Sequence, residues 1–313
     1  MNTGWVIVTG LAMLAAPTLA QGLASKPAPS ETITVIAPRL DAEKTAEAAR
    51  TYADRVMPEP KYGQFARWRA PVCIKVSGID PAYAPRVEGR IQAVAKAADI
   101  PLAEAGCQPN LLVIFAPDAG KTIEVIVSRK PRTLRRLTAE EQRAVREAPL
   151  PVRWWYTITP TDRNGIPAVP NSAALGSANS GTGGKSLLDV IPMNNETALT
   201  DSYSGSLIDT NLIASVTGAV AVVDVPLATG VSLDALSEYL ALVTLAPTRL
   251  PPTSPGVPSI LDLFRADAAS APPETLSRWD SAFLVGLYES VGSRRANAQR
   301  GQIVRHLKSA MEP

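Results

Sequence analysis

The sequence predicts an α/β protein of the mixed α+β kind, with a mixed sheet, a βαβ unit and flanking helices. Three patterns carry this prediction. Residues 68–101 have the pattern of a strand, a turn and a helix, and residues 110–117 ("NLLVIFAP") form a continuous apolar run of strand length. Residues 215–225 ("SVTGAVAVVDV") predict a further strand before a capped helix. A continuous apolar strand is typical of the centre of a sheet that is covered on both faces.

The βαβ unit is predicted from residues 68–117. Val72, Ile74 and Val76 alternate with less apolar residues, which indicates a strand. Asp80 then predicts a helix N-cap, and the helix ends before Pro101. Since the next strand follows directly, the two strands should lie parallel with the helix as their crossover.

Further elements flank this unit on its N-terminal and C-terminal sides. Residues 40–57 predict a helix with Asp41 as its N-cap. Residues 119–151 predict two helical pieces that are broken at Pro131, because proline lacks the amide hydrogen that a helix interior needs. Residues 152–159 ("VRWWYTIT") predict a strand.

The last third of the chain predicts three helices. Ser232 is a suitable N-cap for a helix that Pro247 ends, and residues 259–265 predict a short helix. Ser277 and Asp280 have the spacing of a capping box at the start of the final helix.

Composition divides the chain into four segments. Residues 1–20 predict a secretory signal peptide, because an uncharged apolar run precedes small residues at a plausible cleavage site. An uncleaved membrane anchor is the alternative, but the run is shorter than the roughly 20 residues that span a bilayer. Residues 21–66 predict a leader and a helix, and residues 67–290 predict the main domain, with a long flexible loop at 160–206. Residues 291–313 predict a basic C-terminal tail, which is expected to fray over residues 294–308.

After cleavage no remaining segment predicts a membrane span, so a periplasmic or secreted protein is expected. Export would place Cys73 and Cys107 in an oxidising compartment, which predicts a disulfide between the starts of the two βαβ strands. Two buried free thiols are the alternative. Residues 31–39 ("ETITVIAPR") resemble the TonB box of outer-membrane receptors, which would bind a partner by strand addition. An ordinary edge strand or a disordered leader is the alternative for this segment.

The composition also excludes several kinds of chemistry. The net charge of +2 does not favour nucleic acid. His306 is the single histidine, which leaves no ligand set for catalytic zinc and no general base for a serine nucleophile in the main domain. Residues 177–188 ("SANSGTGGKSLL") contain Gly-Lys-Ser, but Asn179 stands where a phosphate loop needs its first glycine. No metal and no cofactor are therefore expected.

Residues 219–246 ("AVAVVDVPLATGVSLDALSEYLALVTLA"), with "SILDLF" and "LSRWDSAFLVGLY" after them, resemble a family of uncharacterised exported bacterial proteins. That family in turn resembles the zincin-like metallopeptidases. The resemblance implies an edge strand, then a helix that carries H-E-x-x-H, then a supporting helix. The segment "SEYLA" stands where this motif would lie, with Ser237 and Ala241 at the two histidine positions and Glu238 at the general base. A hydroxyl and a methyl group cannot hold zinc.

The resemblance therefore implies a pseudoenzyme in which Ser237, Glu238 and Ala241 line a relic cleft. A solvated helix residue is the alternative for Glu238. The expected function is non-catalytic binding of a peptide, an envelope protein or a glycan. The alternative function is a metal-independent periplasmic hydrolase that uses carboxylates around Glu238 or Asp224.

Overall fold

The computed structural model describes residues 42–162, 191, 212–265 and 273–312. The expected signal peptide, the segment 31–39, the stretch 177–188 and most of the loop at 160–206 lie outside these residues. The described residues form five strands and seven α-helices. In chain order they are α1 (Ala42–Val56), β1 (Arg67–Trp68), β2 (Ile74–Ser77), α2 (Ala84–Ala97), β3 (Leu111–Ala116), α3 (Ala119–Arg129), α4 (Ala139–Glu147), β4 (Val152–Thr161), β5 (Ile213–Asp224), α5 (Leu233–Leu245), a 3-10 turn (Ile260–Asp262), α6 (Arg278–Glu289) and α7 (Ala296–Met311).

The five strands form one mixed sheet, as the sequence predicts. β2 pairs in parallel with β3, and β3 pairs in parallel with the second half of β5. β1 pairs in parallel with the first half of β5, while β4 runs antiparallel to β5 from Val152 opposite Val223 to Thr161 opposite Ile213. Because β4 occupies one side of β5 along its length, β1 and β3 share the other side. β5 is therefore central, and the edge strand implied by the metallopeptidase resemblance is wrong for this position.

Both faces of the sheet are covered, and two neighbouring tryptophans of β4 mark them. The Trp154 ring packs edge-on against Tyr239 of α5, with 6.0 Å between centroids. The Trp155 indole donates a 2.9 Å hydrogen bond to Thr133 Oγ1, which lies between α3 and α4. Since successive strand residues point to opposite faces, α5 covers one face and the α3–α4 segment covers the other.

One buried carboxylate joins three separate parts of the chain. Asp280 in α6 is wholly buried and accepts hydrogen bonds from Tyr52 Oη of α1 at 2.8 Å, Ser259 Oγ at 2.5 Å and Ile260 N at 2.8 Å. Ser277 N and Ser277 Oγ donate to it as well, which confirms the predicted capping box. Burial raises the pKa of Asp280, and the donated hydrogen bonds oppose that rise.

The βαβ unit forms as predicted, with one difference at its helix. The disulfide between Cys73 and Cys107 is present, and its Cα atoms lie 6.1 Å apart. Asp80 does not cap α2, because its Oδ1 accepts instead from Ala82 N at 2.8 Å and closes a turn ahead of the helix. The helix then begins at Ala84, without a side-chain cap.

The C-terminal segment forms the helix α7, so the fraying expected for residues 294–308 is wrong. α7 packs against α6 and α1, and Ile303 and Leu307 are fully buried. Gln299 is buried too, and its Oε1 accepts a 2.7 Å hydrogen bond from Phe65 N. Ile303 and Leu307 form an apolar face at helical spacing, which the basic residues between them masked in the sequence.

Replacing both cysteines by serine (Cys73→Ser with Cys107→Ser) should lower the free energy of unfolding by about 3–4 kcal/mol, the value expected for releasing a loop of this length. The two cysteines are separated by 34 residues in sequence. Urea unfolding of both proteins, with and without reductant, measures this. The reductant should destabilise only the wild type. Equal stability of the wild type and the variant without reductant would contradict the expectation.

Two glycines test whether α7 is docked. A Cβ on Gly286 of α6 would lie 3.0 Å from His306 Cβ of α7, whereas a Cβ on the exposed Gly89 of α2 would meet nothing within 4 Å. Gly89→Ala should therefore stabilise the protein by about 0.5–1 kcal/mol through helix propensity. Gly286→Ala should destabilise it by about 1 kcal/mol, since overpacking outweighs that gain. Urea unfolding measures the stability of both variants. A gain in stability for Gly286→Ala as well as for Gly89→Ala would show that α6 and α7 do not touch at Gly286.

Candidate functional site

Two of the three residues expected in the relic cleft belong to the core. Ser237 is fully buried, and its Oγ donates a 2.6 Å hydrogen bond to Leu233 O within its own helix. Ala241 is fully buried as well. The reason is the position of α5, whose residues Ala235 to Leu245 are all buried because the helix packs against β5, α2, α6 and the 3-10 turn. The expected cleft of three side chains does not form.

Glu238 is the one residue of this set that lines a cleft, and it is not a solvated helix residue. It is 6% exposed. Arg90 Nη1 lies 3.5 Å from Glu238 Oε1, and Leu276 N donates to Oε2 over 3.4 Å. Both contacts are longer than the 2.7–2.9 Å typical of a charge-assisted hydrogen bond. Burial raises the pKa of Glu238, and the nearby acids Asp234 and Asp280 add to the rise.

The cleft that Glu238 lines lies between α2 and α6 and has a volume of about 310 Å³. We call it the α2–α6 cleft. Most of its wall is small or apolar, with Ala93, Val94 and Ala97 on α2 and Leu284 and Val285 on α6. The hydroxyl side chains of Thr275 and Ser281 also line it. Glu238 is the only ionisable side chain among the described residues that line it.

The carboxylate pair required by a metal-independent hydrolase is not assembled in this cleft. Asp234, one turn before Glu238, is held by Arg86 through hydrogen bonds of 2.9 and 2.6 Å, and this contact lowers the pKa of Asp234. Asp224 lies at the carboxyl end of β5, where its Oδ2 accepts from Ala119 N at 3.1 Å and caps the start of α3. Asp224 is therefore not among the described residues that line the α2–α6 cleft.

The described ranges contain no cluster of three His, Cys, Asp or Glu side chains that could hold a metal ion. His306 lies on α7, where its Nδ1 is 3.0 Å from Glu289 Oε2 of α6. Its position therefore reflects the packing of these two helices.

A second cavity, of about 290 Å³, lies between the segment that follows α1 and the middle of β4. We call it the α1–β4 cavity. Most of its wall is apolar, and its charged groups are two cations and two anions. Its lining residues are Met57, Pro58, Glu59, Lys61, Tyr62, Phe65, Ala66, Arg136, Leu137, Glu141, Tyr156, Ile158, Pro247, Thr248, Phe283 and Leu287.

Of the two tyrosines in the wall of the α1–β4 cavity, Tyr156 has a hydroxyl group that is fully occupied by protein partners. Tyr156 Oη contacts Val243 O at 2.5 Å and Ala246 O at 3.1 Å, both at the end of α5, and accepts from Thr248 N at 3.1 Å. Burial raises the pKa of Tyr156. A hydroxyl bound in this way stays protonated and offers a ligand little beyond its ring.

The Tyr62 side chain is placed at the cavity by an unusual turn. Tyr62 and Gly63 have φ values of 52° and 72°, and Gln64 N donates to Lys61 O at 3.0 Å. Two positive φ values at the centre of a turn define type I′, which suits Gly or Asn but costs a bulky residue of the order of 1 kcal/mol. Arg136 donates to Tyr62 Oη and stacks over the ring, with 5.8 Å to the centroid. Backbone strain of this kind is often found at binding sites.

Sequence reasoning missed the α1–β4 cavity, because its lining comes from five separate stretches of chain. The strained Tyr62 turn was the one local signal, in the tripeptide "KYG", but tyrosine is not a typical residue for it. Sequence reasoning also missed that α7 stabilises the cavity wall, where Gln299 Oε1 accepts a hydrogen bond from Phe65 N.

A third cavity, of about 670 Å³, surrounds the end of α6. It is polar, and Arg67 lies in its wall. The Arg67 Nη1 donates to the carbonyl oxygens of Leu287, Tyr288 and Ser290, which closes the C-terminus of α6. Burial lowers the pKa of Arg67 to about 10. Because its guanidinium donates to three carbonyl oxygens at the end of α6, Arg67 acts as a helix cap.

No family model, no curated protein and no solved structure matches this chain. The relation to zincin-like metallopeptidases therefore stays a prediction. Among the described helices, none is both long and apolar enough to cross a bilayer.

The raised pKa of Glu238 predicts how stability depends on pH. A carboxyl group whose pKa is higher in the folded state favours folding fully below its unfolded pKa, near 4.5, and loses that contribution as the pH rises through its folded pKa. The wild type minus Glu238→Gln difference in unfolding free energy should therefore fall as the pH rises above 4.5. Urea titrations of both proteins from about pH 4 to about pH 7 measure it. Other titrating groups are common to both proteins, and a difference that grows with pH would contradict the raised pKa.

Proposed function

We propose that the protein is an extracytoplasmic, non-catalytic binding protein that takes a large apolar side chain of a peptide into the α1–β4 cavity. The observation that carries this proposal is the lining of that cavity, which is mostly apolar and whose buried hydroxyl, on Tyr156, is already bound by protein groups. Burial of a ligand's apolar surface against such a wall is favourable, and the described residues of the wall offer no activated nucleophile or general base.

The size of the cavity supports an amino-acid side chain as the bound group. An engineered apolar cavity of about 150 Å³ binds benzene. A volume of about 290 Å³ therefore has room for an indole ring or for two smaller side chains.

The charges at the cavity favour a peptide over the glycan and over a charged lipid. Lys61 and Arg136 are cations, while Glu59 and Glu141 are anions, so the lining has no dominant sign that would select an anionic head group. A glycan would need many hydrogen-bonding partners, and the apolar wall supplies few. A peptide with an apolar side chain and a neutral backbone fits both features.

The disulfide Cys73–Cys107 is compatible with an oxidising compartment, and the expected signal peptide at residues 1–20 would deliver the chain there. In this proposal the periplasm is the place of action. If the scaffold is related to metallopeptidases, Ser237 and Ala241 stand where the zinc ligands were lost, and Glu238 is all that is left of the motif.

The proposal is tested with two blocked peptides, Ac-Gly-Trp-Gly-NH2 and Ac-Gly-Ser-Gly-NH2, titrated into the protein and followed by NMR chemical shifts. Burying a large apolar side chain is worth about 1.5–3 kcal/mol, so the tryptophan peptide should bind at least about tenfold more tightly. Ile158→Trp, which fills the cavity, should abolish that preference. Val125→Trp, on the exposed side of α3, is the matched control and should preserve it. Equal binding of the two peptides, or full binding by Ile158→Trp, would refute the proposal.

A further inference from the structure

We propose that the α2–α6 cleft is a separate binding site for a primary alkylamine, whose ammonium group pairs with Glu238 and whose alkyl chain lies along the alanines of α2. This site is independent of the α1–β4 cavity and shares no lining residue with it.

The first observation is that the Glu238 carboxylate is buried but poorly satisfied. Glu238 is only 6% exposed. Its Oε1 lies 3.5 Å from Arg90 Nη1, and its Oε2 accepts a 3.4 Å hydrogen bond from Leu276 N. An ionised carboxylate has about four acceptor positions, and leaving them unfilled in an apolar setting is costly. A ligand ammonium, with three N–H donors, would fill the positions that the protein leaves open.

The second observation is the balance of charge around the carboxylate. Glu238, Asp234 and the wholly buried Asp280 are near one another, while Arg86 and Arg90 are the neighbouring cations. Among the described residues, the hydrogen-bond donors to Asp280 are hydroxyls and backbone amides, which do not cancel its charge. With Glu238 included, these three carboxylates and two guanidinium groups carry one net negative charge when all are ionised, which complements a cation.

Arg90 does not block the approach of a cation. Its side chain is 38% exposed, and Asp234 Oδ1 lies 3.8 Å from its Nη2 as an alternative partner. It can therefore turn toward Asp234 while an ammonium contacts Glu238. The Oε2 atom lies on the other side, toward Leu276.

The walls of the cleft define the rest of the ligand. Ala93 and Ala97, one turn apart on α2, face Leu284 and Val285 of α6 across the opening. These four side chains offer apolar contact, which suits an unbranched alkyl chain, and the rest of the lining adds two hydroxyl groups. About 310 Å³ accommodates a chain of several methylene groups.

The test compares three probes of the same length, n-hexylamine, n-hexanol and hexanoate, by calorimetric titration of the full chain. The amine should bind at least about tenfold more tightly than the alcohol, and hexanoate should bind least. Glu238→Gln should reduce amine affinity about tenfold and leave the alcohol unchanged. Glu274→Gln, which removes an exposed acid nearby, is the matched control and should bind the amine as the wild type does. Ala97→Leu, at an exposed helix position that lines the cleft, should abolish the binding of both amine and alcohol.

Equal affinity of the wild type for hexylamine and hexanol would overturn the proposal, and so would unchanged amine binding by Glu238→Gln. The comparison of probes on the wild type decides the question even if that variant does not fold. Ile158→Trp should keep its amine binding, so that failure of this site is distinguishable from failure of the peptide site.

Discussion

The arrangement of the helices depends on the hydrogen bonds accepted by Asp280. A charge this deeply buried is tolerable only when its oxygens are filled, so Tyr52, Ser259 and Ser277 must meet at one point. Those residues come from α1, the 3-10 turn and the start of α6. The distance in sequence between Tyr52 and Asp280, 228 residues, makes this contact a closure of the whole described fold.

The same contacts explain why a ligand can reach Glu238 on α5 but not the other side chains of that helix from Ala235 to Leu245. With α1 and α6 joined at Asp280, α5 is enclosed by α2, α6 and the sheet. Glu238 points into the narrow space that remains between α2 and α6, while its neighbours Ser237 and Ala241 face the core. A resemblance in sequence can place a motif on a helix, but the packing around that helix decides which of its residues a ligand can reach.

The sequence predicted the local elements better than their arrangement. The apolar strand at β3, the break at Pro131 and the caps at Ser232 and Ser277 each rest on contacts close along the chain, and the structure contains them. β5 was expected at an edge but is central, because strand order depends on pairing between distant segments. The α1–β4 cavity was out of reach for the same reason, and the burial of Ile303 and Leu307 was masked by the basic residues between them.

The hydrogen bond between Gln299 and Phe65 has a consequence for how the protein matures. The two residues are 234 positions apart, and Phe65 belongs to the wall of the α1–β4 cavity. A polypeptide leaves the ribosome, or a translocation channel, with its N-terminus first. The wall residues around Phe65 therefore emerge well before Gln299, and the cavity takes its final shape only after α7 has been released.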